Sequence, residues 1–191
     1  MVATVVGLSR TGSLLEFVAI ATQGTALVAQ FVFSAVYHRH SPTLEARKWN
    51  RRADHAAIFV LIAASYTPIC LLVLDRPLSW VVLALAWLVA LNGVRKKFGE
   101  LSLETDRVHS WMYGVLGGAS ILVLPQMIDG MGWTRVLVNA AAGLLYALGG
   151  FELVRRRIDP WPNTFGYHEI WHLCVLLAVF MNLGVAISLV W

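Results

Sequence analysis

The stretch Arg51-Arg52-Ala53-Asp54-His55, followed by Ala56-Ala57-Ile58-Phe59-Val60-Leu61-Ile62-Ala63-Ala64-Ser65-Tyr66-Thr67-Pro68-Ile69-Cys70-Leu71-Leu72-Val73-Leu74, decides the fold. A dense cationic stop is followed by an uncharged run about as long as a bilayer-spanning helix, roughly 17–25 residues. Five more runs lack Asp, Glu, Lys and Arg: Phe17 to Tyr37, Pro77 to Val94, Ser110 to Ile128, Val136 to Phe151 and Ile170 to Trp191. The fifth in chain order, Val136 to Phe151, needs the neutral residues before Arg135 to reach spanning length. With 58% hydrophobic and 14% charged residues in 191, the chain has no polar exterior with which to cover six such helices in water. The expected fold is all-α: one polytopic transmembrane bundle over 1–191, six spans, no soluble domain.

Loop charge orients the bundle. With spans A to F in chain order, the A–B loop carries Arg39, Arg47, Lys48, Arg51 and Arg52. The C–D loop carries Arg95, Lys96, Lys97 and Arg107, and the E–F loop Arg155, Arg156 and Arg157. Loops B–C and D–E have only Arg76 and Arg135, and the N-terminus only Arg10. The positive-inside rule places the three basic loops in the cytoplasm and both chain ends outside. The net charge of +4 is therefore a topology signal, and nucleic-acid binding is not expected. The N-terminus lacks a basic n-region, so no cleavable signal peptide is expected. Cys70 and Cys174 lie within apolar runs and read as free thiols.

The chemistry concentrates at that cytoplasmic side. His168 and His172 are one helical turn apart and share a face, so together they can chelate one metal ion. Span F leaves the cytoplasm near His168, span A descends to His38, and span B starts just after Asp54. Ser34 is four residues before His38 and points the same way, one turn deeper. A third ligand from His38 or Asp54 is geometrically easy if A, B and F are neighbours. Ionisable groups inside a membrane are costly and are functional candidates by default. His168 to His172 also reads as H-E-x-x-H, a zinc-protease signature with Glu169 as base. Nothing after His172 offers the further ligand such a protease needs.

Taken together, Ser34-x-x-x-His38, Arg51-Arg52-Ala53-Asp54-His55-Ala56-Ala57-Ile58, Ala64-Ser65-Tyr66-Thr67-Pro68 and His168-Glu169-Ile170-Trp171-His172 resemble the hemolysin III family of bacterial membrane proteins. They are also similar to its eukaryotic relatives, the progestin and adipoQ receptors. The resemblance implies a helical bundle in a bacterial plasma (inner) membrane, with zinc near the cytoplasmic face. It implies His38, His168 and His172 as ligands, with Asp54 and Ser34 around the metal's water. The wider superfamily includes alkaline ceramidases and implies metal-dependent hydrolysis. The family has seven spans against six counted here. The first is expected to be the one absent, since Met1 to Leu8 is too short to cross, through either a short variant or a start assigned late.

Three imidazoles and an open fourth position suit a zinc ion carrying a water whose pKa falls to about 7. Asp54 is expected beside that water, as hydrogen-bond acceptor or general base; its bland alternative is a helix N-cap or a partner of Arg51 or Arg52. Ser34 would hold the water or a reacting oxygen; its alternative is a bond to its own i−4 carbonyl. His55 faces elsewhere and reads as supporting or structural, while His40 and His109 read as solvated loop residues. Pro68 should kink span B and free the carbonyl of Ala64. Gly114, Gly117, Gly118, Gly143, Gly149 and Gly150 are expected at close helix contacts, and Asn92, Asn139 and Asn182 in interhelical hydrogen bonds. The leading functional expectation is a hydrolase of lipid amides or esters, with membrane lipids as partners. The others are a membrane-homeostasis or receptor-like protein with structural zinc, and a pore-forming or cytolytic protein. The last is least supported, because no span carries the charged stripe of a water-filled pore.

Overall fold

A computed structural model describes residues 2–99, 111–161 and 164–191. Among these the regular structure is helical: α1 Val2–Leu8, α2 Leu14–Arg39, α3 Leu44–Leu72, α4 Leu78–Gly99, α5 Trp111–Gly118, a 3₁₀ segment Ala119–Val123, α6 Leu124–Arg155 and α7 Tyr167–Ser188. Arg107, His109 and Ser110, which the sequence placed in the C–D loop and at the start of span D, lie outside the described residues.

Among the described residues the six apolar runs are largely helical, but their ends differ from those read by charge. The A–B connection is short, and α3 begins at Leu44, where the Thr43 hydroxyl caps Ala46 N at 3.1 Å. Arg47, Lys48, Arg51 and Arg52 are thus helical residues rather than loop residues. Charge marks where the bilayer ends, whereas a capping hydroxyl marks where the helix starts. Asp54 accordingly sits inside α3, and the N-cap reading of it is wrong.

The D–E region also differs. Met112–Arg155 is one helical stretch of 44 residues, about 66 Å if straight and twice the ~30 Å hydrocarbon layer. It is not straight. Gly132 has φ 78° and ψ 160°, a conformation nearly confined to glycine, and the chain reverses there. The limb before it runs alongside α3: Tyr113 Oη donates to His55 O at 2.9 Å and Tyr66 Oη to Leu116 O at 2.6 Å, and Gly130 lies against Val73. The limb after it runs antiparallel to α7, with Arg135 donating to Ser188 Oγ and O, both at 2.8 Å, at one end and Arg156 stacked over Tyr167 at the other. Spans D and E are therefore joined by a single glycine turn rather than by a loop.

This alternation gives the bundle two distinct ends. The His38, His168, Trp49–Phe98 and Arg156–Tyr167 groups share one end. Arg135–Ser188, Arg10 over Trp191 and Asp75 N to Gln126 share the other. The short α1 packs on α2 and α7 in this second half, with Thr4 against Gly24 and Gly7 facing Ile20 and Ile187.

The core sits around α3, which packs on α2, α4, α5 and α7. Phe59 is fully buried against Gly93, where an added Cβ would come within 2.6 Å of its ring. Helix association in lipid rests on such close packing, because lipid tails are as apolar as leucine. The outer surface is correspondingly apolar, with Leu85, Leu88, Leu144, Leu148 and Phe180 exposed. Gly149 is a true close contact: a Cβ there would sit 2.7 Å from Cys174 Cβ, holding α7 against α6. The expectation for Gly114, Gly117, Gly118 and Gly143 is not met, since a Cβ at each would touch nothing within 4 Å among the described residues. Both cysteines are free. Pro68 lies inside α3 and lines a cavity described below.

Candidate metal centre

Three helices bring the candidate residues together. The last turns of α2 present Gln30, Ser34 and His38 at successive four-residue steps on one face. The first turns of α7 present His168 and His172. Asp54, 7% exposed, enters from α3. The ligating nitrogens of His38, His168 and His172 all lie within 4.8 Å of one another. His168 Nε2 and His172 Nε2 are 3.1 Å apart, and the His38 ring centroid is 5.1 Å and 5.4 Å from theirs.

The α7 pair of this donor set has the spacing of two zinc ligands, and a nitrogen of His38 lies within 4.8 Å of both. Bonds of 2.0–2.1 Å at a tetrahedral angle put two nitrogens about 3.3 Å apart, close to the separation of the pair on α7. His168 and His172 are half-buried and His38 is exposed, so the cluster lies at the rim of the bundle, not at its centre. Among the described residues it is the one group of three or more His, Cys, Asp or Glu close enough to share an ion.

Asp54 stands beside this cluster rather than in it. His55, His38 and His168 are its electrostatic neighbours, and the Ser34 hydroxyl is within hydrogen-bonding reach of its carboxylate. A further partner is not apparent from the sequence motifs. Gln30 Nε2 donates to Asp54 Oδ1 at 3.2 Å from a side chain that is itself 7% exposed. The sequence does carry a signal for it: Gln30 precedes Ser34 by the same four residues that separate Ser34 from His38. That signal is faint because glutamine is uncharged and disappears into an uncharged run.

Glu169 is elsewhere. Its Oε2 accepts from Gly166 N at 2.9 Å, capping the start of α7, and the side chain is exposed. That local role removes it from the protease reading of H-E-x-x-H. His40 is exposed at the α2 C-cap, its carbonyl accepting from Asn50 Nδ2 at 3.2 Å. The His55 carbonyl anchors Tyr113.

A family model described as Haemolysin-III related matches residues 1–183, nearly the whole chain and every residue of the cluster. The chain belongs to the haemolysin III family. It is similar to Hemolysin-3 of Bacillus cereus, 30% identical over 179 residues that cover 92% of this chain and 77% of that protein. It is also similar to a Hemolysin-3 homolog of Bacillus subtilis, 27% identical over 170 residues covering 86% and 74% of the two chains. This haemolysin III family protein is an integral membrane helical bundle.

Proposed function

We propose that this haemolysin III protein is a zinc-dependent hydrolase of a lipid amide or ester, with its centre at the cytoplasmic face of the membrane. The observation that carries the reading is the meeting of His38, His168 and His172 beside a buried carboxylate. Their helices are far apart in sequence, and a carboxylate buried to 7% exposure beside them is costly unless it is used. The orientation rests on Arg95, Lys96, Arg155, Arg156 and Arg157, which lie at the cluster's end of the bundle.

In this reading the three imidazoles would hold zinc, which when bound would supply Lewis acidity towards a water and a substrate carbonyl. Asp54 accepts a proton from the attacking water and returns it to the leaving amine or alkoxide, so that one water is consumed and a carboxylic acid released. Gln30 donates to one Asp54 oxygen and fixes the direction of the carboxylate. Ser34 supplies a second hydroxyl contact from the same face of α2. Leu173, Leu177 and Phe180 are exposed along α7 directly beyond the histidines and offer an acyl chain a path from the bilayer.

The test is turnover of N-acyl and O-acyl lipids by purified protein in lipid nanodiscs, with release of free fatty acid as the readout. Activity lost in His172→Ala and on chelation supports the hydrolase. Wild type that retains zinc but turns over no lipid amide or ester supports the receptor-like alternative, in which the metal is structural.

A further inference from the structure

A second polar feature lies in the other half of the bundle. Gln23 is 4% exposed, and its Oε1 is buried without a hydrogen-bond partner. It faces a cavity of about 10 Å³ whose wall also includes Ser65, Pro68, Asn139 and Asn182, so that α2, α3, α6 and α7 all contribute. The cavity is separate from the metal centre. Gln23 precedes His38 by 15 residues, about 22 Å along α2. Leu27, Leu61 and Val179 of one apolar cluster are buried between the two levels.

We infer that this cavity is a binding site for one buried water molecule, which serves as the hydrogen-bond hub of the four helices. Roughly 10–15 Å³ on this measure accommodates a single water, and a water needs two to four polar partners. The wall provides them. Gln23 Oε1 is an acceptor without a protein donor. Ser65 Oγ spends its hydrogen on Ile62 O at 2.7 Å and keeps lone pairs free to accept. Asn139 and Asn182 each bring amide donors, Asn182 also lying in hydrogen-bonding reach of the Tyr146 hydroxyl. A water donating to Gln23 and Ser65 and accepting from Asn139 and Asn182 meets all four helices at once. Pro68 in the same wall has no N–H to give the carbonyl one turn back, and ordered water commonly supports a proline within a membrane helix. The cavity is too small for a lipid group. Its polar lining is neutral, which disfavours a cation at this depth.

The test combines a structure and a mutant cycle on the full chain in lipid. A high-resolution structure should show one water within about 3.2 Å of Gln23 Oε1. A dry cavity, or Gln23 bonded directly to Asn139, overturns the inference. Gln23→Leu and Asn139→Leu should each lower the thermal midpoint by several degrees, and the double variant should fall no further than the worse single one, because either change evicts the shared water. Strictly additive losses overturn it. Exchange of sodium for potassium or choline should leave the midpoint unchanged, and a sodium-specific rise would make the cavity a cation site and overturn the assignment of water.

Discussion

Replacing Asp54 by Asn should leave zinc in place and abolish turnover. Asp54 lies outside the mutually close trio of His38, His168 and His172, so removing its charge takes no ligand from the ion. Asn keeps nearly the same volume in a site 7% exposed, and its Oδ1 can still accept from Gln30. What changes locally are the hydrogen bonds from Gln30 and Ser34, each from a charged acceptor worth about 1.5–3 kcal/mol to a neutral one worth about 0.5–1.5 kcal/mol. The net loss of about 2 kcal/mol is offset by relief from burying a carboxylate, and the thermal midpoint should move little. Catalysis should fall about 10²- to 10⁴-fold, the usual contribution of a positioned general base, because an amide takes no proton at neutral pH. The assay measures zinc by elemental analysis, the thermal midpoint, and fatty-acid release from an N-acyl lipid, on both proteins in the same nanodiscs. Loss of zinc together with a large fall in midpoint would make Asp54 a fourth ligand in a closed structural site and refute the reasoning.

Three further outcomes follow from the same geometry. Gln30→Leu withdraws a donor from a buried carboxylate and should cost about 1.5–3 kcal/mol in denaturation measurements while zinc stays bound. Gly149→Ala drives a methyl to 2.7 Å from Cys174 Cβ and should cost about 1–3 kcal/mol and weaken zinc binding through displacement of α7, whereas Gly143→Ala, which meets nothing within 4 Å, should change neither; equal effects from both would discredit the packing assignment. In sealed inside-out vesicles of a variant lacking Cys70 and Cys174, cysteines at positions 47, 96 and 156 should label from the exposed cytoplasmic side and one at 191 should not, and labelling in the reverse pattern would put the centre on the outer face.

The amino-acid sequence makes some elements of this bundle legible and hides others. The all-α membrane class is legible because six uncharged runs leave no other way to satisfy their backbone. Charge counting also places His38, Asp54 and the α7 histidines at one end, since α2, α3 and α7 alternate as the loops imply. Helix limits are less legible. Hydropathy reports where lipid ends, so the first turns of α3 read as loop, although Thr43 ahead of Leu44-Glu45-Ala46 is a capping sequence. The reversal at Gly132 is hidden because one glycine of positive φ replaces a loop. Four of the six glycines expected at helix contacts meet no neighbour among the described residues, since composition alone does not say which side of a helix meets a neighbour. Gln30 and Gln23 escape notice for a shared reason. A neutral amide does not interrupt an apolar run, yet once buried it must be used.

The most direct measurement for the central claim is the zinc content of purified protein, by elemental analysis, for wild type and for His168→Ala and His172→Ala. The shared position of the three imidazoles predicts about one zinc per chain in wild type and its loss in both variants. Zinc undiminished in both variants would contradict it, and the three histidines would then be no metal centre.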